Sequence, residues 1–386
     1  MRDFVNKKVK DMKPSGIRRF FDIASEIKGC ISLGVGEPDF DTPWHIREEG
    51  IYTLEKGRTY YTSNAGLKEL RTEISKYTKK NTGVEYDPLS EILVTVGGSE
   101  AIDLCMRAII EPGDEVLITT PCYVSYEPCV NLAGGIVKTI PLKNENEFRL
   151  TKQELIDNIT PKTKALIMCF PNNPTGAIME YSDLEKIAEV CIKNDILVLS
   201  DEIYGALTYS GTHASISQVP GMKERTVVVN GFSKAFSMTG WRLGYAMGPE
   251  DIIKAMTKIH QFCIMCAPTT SQYAAIEALK NGENDVVMMK ESYNERRRYL
   301  IDRFKNMGLP CFEPKGAFYI FPDIRKFGLS SEDFALKLLQ EQKVVVVPGN
   351  AFGTSGEGFI RVSYAYSIED LKKALDRLEL FIKSLK

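Results

Sequence analysis

Between residues 92 and 229 the chain repeats one pattern: a short apolar run, a polar or glycine-rich junction, then a stretch with helical spacing. The runs fall at 92–96, 116–118, 165–169, 196–199 and 226–229. Each is strand length and apolar at consecutive positions, as in strands buried on both faces. Their alternation with helices predicts a mostly parallel sheet covered by helices, an α/β fold. Ahead of this region, helices are expected over 44–54 and 67–80. Earlier still, the break at Met12-Lys13-Pro14-Ser15-Gly16 precedes a helical spacing over 17–27. Beyond it come a long helical region from about 251 to 305, strand-like segments at 316–321, 344–347 and 359–363, and a closing helix from 367.

A chain of 386 residues is too long for one simple core. The pattern divides it into an N-terminal arm that joins the small domain (1–43), a large domain (44–285) and a small C-terminal domain (286–386). The net charge of −2, without a basic block, argues against nucleic acid as the main partner. No apolar run reaches bilayer-spanning length and the first residues are polar, so a cytoplasmic location is expected. Nine cysteines, an odd number, lie mostly in apolar runs and read as reduced core thiols. Cys263 and Cys266 form a C-x-x-C with no second pair or histidines at zinc spacing, so no metal is expected. His45, His213 and His260 are scattered, and none is placed like a catalytic base.

Ligands of open α/β sheets bind beyond the carboxyl ends of the strands, which sorts the junctions. The five runs are followed in turn by Gly97-Gly98-Ser99-Glu100, Thr120-Pro121-Cys122-Tyr123, Pro171-Asn172-Asn173-Pro174-Thr175-Gly176, Ser200-Asp201-Glu202-Ile203-Tyr204 and Gly231-Phe232-Ser233-Lys234. Gly98-Ser99-Glu100 opens a helix whose free amides can hold a phosphate. Lys234 lies in a loop of small residues, with Arg242 eight positions on. An amine that can form a Schiff base beside a planar cation that grips phosphate suits pyridoxal 5′-phosphate. Arg361 sits in an apolar strand and demands a partner, either a structural ion pair or an anionic ligand.

The stretch from Asn230 to Gly244 resembles the lysine signature of class I and II aminotransferases, pyridoxal-phosphate enzymes of fold type I. Gly36-Glu37-Pro38-Asp39-Phe40-Asp41-Thr42-Pro43 and the Pro171–Gly176 turn resemble further family motifs, and the likeness extends from about residue 15 to 385. It is nearest to the branch holding aromatic, N-acetyl-diaminopimelate and aspartate aminotransferases. The resemblance implies a large domain with a mostly parallel seven-stranded sheet and a smaller α+β domain. It implies that Lys234 carries the cofactor and shuttles the proton, that Asp201 keeps the ring nitrogen protonated, and that Tyr204 and Asn173 donate to the phenolic oxygen. Tyr123 is expected to stack on the ring. Gly98, Ser99, Glu100 through its backbone N–H, Ser233 and Arg242 are expected around the phosphate. Gly231 stands where the family often has another serine. Tyr61 is expected to reach the phosphate of a neighbouring subunit, hence a homodimer.

For the substrates, the resemblance implies that Arg361, with Gly36 and Asn173, grips the α-carboxylate. Ile17, Tyr126 and Phe318, with Tyr123 beside them, are expected around the side chain, a mostly apolar set that favours an aromatic L-amino acid, with 2-oxoglutarate as acceptor. Arg18 and Arg19 are candidates for a second carboxylate. N-acetyl-L,L-diaminopimelate and aspartate are the alternative donors, and a C–S β-lyase is the alternative reaction.

Overall fold

The structure, a computed structural model, describes residues 2–12, 27 and 29–385. Its strands in chain order are β1 (Ile31–Ser32), β2 (Ile92–Thr95), β3 (Glu115–Thr120), β4 (Ile136–Pro141), β5 (Thr163–Cys169), β6 (Leu197–Asp201), β7 (Thr226–Gly231) and β8 (Gly244–Met247). They continue with β9 (Tyr319–Ile320), β10 (Val344–Val345), β11 (Val347–Pro348) and β12 (Ile360–Ser363).

One sheet holds seven strands in the order β2-β8-β7-β6-β5-β3-β4. Neighbours are parallel except around β8, which runs antiparallel to both β2 and β7. β2, β3 and β8 are buried at every position. β4 is largely exposed, with Lys138 and Pro141 on an edge where an unpaired strand is least prone to recruit another chain. After β3 the chain steps outward to β4 and then returns to the other side of β3 as β5. That reversal is the crevice where open α/β sheets bind ligands, and Tyr123 and Asn173 follow the two strands that flank it.

The helix Gly98–Ile109 packs against Tyr126–Ala133 and Glu250–Cys263, while Thr269–Asn281 packs against Trp44–Glu55 and Lys68–Thr82. The long helical region expected from 251 to 305 is three helices, Glu250–Cys263, Thr269–Asn281 and Glu283–Asn306. Pro268 caps the second, and Gly282 ends it and starts the third. Proline starts a helix readily but cannot continue one, because it lacks an N–H.

The remaining strands form a three-stranded antiparallel sheet, β11-β12-β9, and a parallel pair, β1 with β10. A single core gathers Leu33 beside β1 with Phe318, Phe334, Val344, Leu371 and Phe381 from the last hundred residues. No helix among the described residues is long and apolar enough to cross a membrane.

Candidate active site

The loop from β7 to β8 is shaped by glycines. Gly231 pairs with Gly244 across the two strands. A Cβ on Gly244 would stand 2.6 Å from the carbonyl carbon of Gly97 and from the nitrogen of Gly98. The N-terminus of the Gly98–Ile109 helix therefore rests directly on β8. Gly97 itself has φ +79°, and a Cβ there would stand 2.7 Å from an Nη of Arg242. Helix amides without intrahelical partners and a guanidinium thus meet at one point, a cradle of phosphate type. Ser233 and Ser99 also line this cavity. Gly231 adds no donor, and a side chain there has little room: its Cβ would lie 3.0 Å from Gly244 Cα and 3.1 Å from the Leu243 carbonyl oxygen. Glu100 turns its carboxylate back to the Val96 N–H and to Nδ1 of His260, 2.9 Å away, so its backbone N–H is what it offers the helix end.

The cavity has a volume of ≈ 300 Å³ and is lined by residues at the ends of five strands of the large sheet and by Tyr319 and Arg361 of the three-stranded sheet. At its base Asp201, 5% exposed, accepts a 2.6 Å hydrogen bond from the Tyr126 hydroxyl and one of 3.1 Å from the Ile203 N–H. Burial raises the Asp201 carboxyl to about 6, against the pull of those hydrogen bonds. It is thus an anion at neutral pH held in a nearly dry place. Lys234 Nζ donates to the Gly36 carbonyl at 2.7 Å. Burial lowers its amine to about 8; Arg361 and Arg242 push in the same direction, and Glu37 and Asp201 oppose them. The Tyr204 hydroxyl lies 2.7 Å from that of Tyr319.

Arg361, on β12 and 3% exposed, has no carboxylate partner among the described residues. Its guanidinium donates to Asn173 Oδ1 at 2.8 Å and to the Gly34 carbonyl at 2.5 Å, and lies 4.4 Å from the Tyr319 ring centre and 4.7 Å from that of Phe352. Its Nε is buried without a partner among the described residues. Burial lowers its pKa, the mark of a cation short of solvation. Because the oxygen of the Asn173 amide is taken by Arg361, its NH₂ remains as a donor toward the cavity.

Gly36, Gly98, Ser99, Tyr123, Asn173, Asp201, Tyr204, Ser233, Lys234, Arg242 and Arg361 all line this one cavity. Tyr126, expected beside the substrate side chain, also lines the cavity, with its hydroxyl held by Asp201. One expectation changes. Phe318 is fully buried against Tyr204, Tyr293 and Tyr319, and its neighbour Tyr319 is the residue that reaches the cavity. Phe318 precedes β9 and packs on the Tyr319 ring, so Tyr319 stands between the buried core and the cavity. Ile17, Arg18 and Arg19 lie outside the described residues. Tyr61 is 81% exposed and lies away from the cavity of its own chain. Sequence reasoning missed Tyr319, Ile102 and Ile203 as lining residues, and the packing role of Gly244. Gly36 leaves no room for a side chain, since a Cβ there would collide with the Tyr319 hydroxyl.

The donor set fits a phosphorylated aldehyde on a protonated pyridine. A phosphate cradle stands at one side, a desolvated carboxylate at the base, and an amine of lowered basicity in the same cavity. The profile of the family described as aminotransferase class I and II matches residues 28–378. Aromatic-amino-acid aminotransferase 2 of Thermococcus litoralis is 46% identical over 99% of both chains. An aspartate aminotransferase of Pyrococcus abyssi is 48% identical over 97% of both. Among solved structures, Pyrococcus protein-A1 superposes with a TM-score of 0.96 at 47% identity, covering 98% of each chain. The chain therefore belongs to the class I and II aminotransferases, enzymes that transfer amino groups with pyridoxal phosphate.

Proposed function

We propose that this aminotransferase takes an aromatic L-amino acid as donor and 2-oxoglutarate as acceptor, the two half-reactions alternating in one site. The observation that carries the choice is the tally of cations around the cavity. Besides Lys234, the described lining residues offer Arg242 beside the phosphate cradle and Arg361 across the cavity. One is committed to phosphate and the other to the α-carboxylate common to every substrate, so no further lining cation is left among them for a side-chain carboxylate. Tyr123 and Tyr319 supply aromatic surface instead.

Pyridoxal phosphate, when bound, supplies an aldehyde that takes up the amino group and a ring that accepts the electron pair released at the α-carbon. The chain's residues do the rest. Arg361, already oriented by Asn173 and Gly34, offers its unpartnered Nε–H and its remaining Nη–H groups to the carboxylate. Asp201, fixed by Tyr126, would hold a negative charge for the ring nitrogen and keep it protonated. Tyr204 and the Asn173 NH₂ would donate to the phenolic oxygen. The Lys234 amine, with its basicity lowered by burial, would take the proton from the substrate α-carbon and return it to the cofactor carbon on the far side of the nitrogen. The helix Gly98–Ile109, Ser233 and Arg242 anchor the phosphate so that the reacting atoms keep their positions.

The reading includes a cytoplasmic homodimer in which Tyr61 serves the partner's phosphate. Trp44, Leu54, Tyr60, Tyr61 and Phe262 are large apolar side chains left exposed, which a subunit contact would cover.

A panel of donors with 2-oxoglutarate tests the substrate. Phenylalanine or tyrosine should exceed aspartate and N-acetyl-L,L-diaminopimelate by at least about tenfold in kcat/KM, the worth of one unmatched buried charge or more. Aspartate as the better donor would overturn the choice. Pyruvate release from cystathionine without any oxo-acid acceptor would turn the reading toward a C–S β-lyase.

A further inference from the structure

A second cavity, of ≈ 360 Å³, lies behind the active site and shares no lining residue with it. Asp201 faces the active site, while Glu202, the next residue, faces this second cavity, as successive side chains at a strand end do. Its walls are mainly apolar, with Tyr77, Val228, Phe236, Met247, Leu279 and Val286 among them. At the floor, Glu202 is already satisfied. It accepts from Ser200 Oγ at 2.9 Å and Ser215 Oγ at 2.6 Å, and His213 Nε2 lies 2.8 Å from its other oxygen.

The lysines around the cavity are matched with one exception. Lys76 has Glu73 at 2.8 Å and Lys80 has Glu283 at 2.7 Å. Lys290, half-buried on the helix Glu283–Asn306, has no partner for its amine among the described residues, and burial lowers its pKa. An apolar chamber lined by one unpartnered, partly desolvated lysine is complementary to an anion with an apolar body.

We propose that this cavity is a second binding site, for a small monocarboxylate with an aromatic or branched apolar body, its carboxylate paired with Lys290. The volume is similar to that of the active-site cavity, so a ligand of amino-acid size fits. Glu202 does not compete for it, being occupied by its own donors.

The test is ¹⁹F NMR titration of the pyridoxal-phosphate-loaded enzyme with 3-(4-fluorophenyl)propanoate and, separately, the neutral 3-(4-fluorophenyl)propanamide. Relative to wild type, Lys290→Gln should lose one equivalent of bound carboxylate, with at least about a tenfold rise in its Kd and unchanged transamination. Val287→Glu should do the same. Val287 lines the cavity one turn before Lys290 and is 48% exposed, so a glutamate there folds readily and pairs with the lysine. If Lys290→Gln fails to fold, Val287→Glu carries the test. Retention of every bound equivalent in the folded variants, or amide binding as tight as the carboxylate, would overturn the proposal.

Discussion

Arg361 is the residue on which most of the functional reading turns. Its sequence context, a guanidinium within an apolar strand, left an ion pair and an anion site equally open. The absence of an acidic partner among the described residues, with Nε left unpartnered, favours the anion site. Arg361→Ala should raise KM for both the amino acid and the oxo acid and lower kcat/KM by about 100-fold, roughly 3 kcal/mol. An effect on only one of the two substrates would argue against a shared carboxylate fork. The same residue should cost the cofactor-free protein stability, because a buried charge is held there without a counter-ion. Arg361→Met should therefore raise apo-protein stability by about 1 kcal/mol or more in urea unfolding, while abolishing most turnover. Loss of stability would mean that the bonds to Asn173 and Gly34 outweigh the cost of burial.

Lys234 carries a pH prediction. With its amine lowered to about 8 from 10.5, the neutral form is favoured in the folded protein. About a tenth of it is neutral at pH 7, against roughly one part in several thousand for an ordinary lysine. Capture of pyridoxal phosphate by the apo-protein, followed by its visible absorbance, should speed up about tenfold between pH 7 and pH 9 and then level off. A rate still climbing steadily at pH 10 would show an unperturbed amine.

At the scale of elements, the strand-end junctions were legible because each buried strand is a continuous apolar run that stops at a polar or glycine-rich segment. β4 and β8 do not announce themselves that way. β4 is an exposed edge carrying Lys138, and β8 is a four-residue strand led by glycine. The role of Gly244 was hidden for a different reason: it depends on Gly97 and Gly98, nearly 150 positions earlier, lying against β8. Gly244→Ala tests that packing. A methyl 2.6 Å from the backbone of Gly97 must push the helix N-terminus off the strand and loosen the phosphate cradle. The Kd for pyridoxal phosphate should rise at least about tenfold, read by absorbance titration, and an unchanged Kd would contradict the account. Tyr126 illustrates the same limit, since nothing local to its helix shows that its hydroxyl meets Asp201, 75 positions on. The swap of Phe318 for Tyr319 is milder, a difference of one residue between two rings in contact.

At the scale of the whole molecule, β1 pairs with β10 near the C-terminus, and Lys234 bonds to Gly36, so residues 31–36 link the C-terminal strands to the large sheet. Leu33 shares a core with Phe318, Val344 and Leu371, so the segment after β1 packs with the sheet that carries Arg361. The exposed Tyr61 gives a prediction of assembly. Tyr61→Phe should weaken cofactor binding several-fold while sedimentation still shows a dimer, and a monomeric wild-type enzyme with full cofactor affinity would remove the cross-subunit role.

The most direct measurement is the visible spectrum of the cofactor-loaded enzyme as single amino acids are added without an acceptor. The account predicts that phenylalanine or tyrosine bleaches the cofactor band at concentrations where aspartate and N-acetyl-L,L-diaminopimelate do not, and that 2-oxoglutarate then restores it. A band that answers to aspartate or N-acetyl-L,L-diaminopimelate and ignores the aromatic donors would contradict the substrate reading while leaving the family and its chemistry in place.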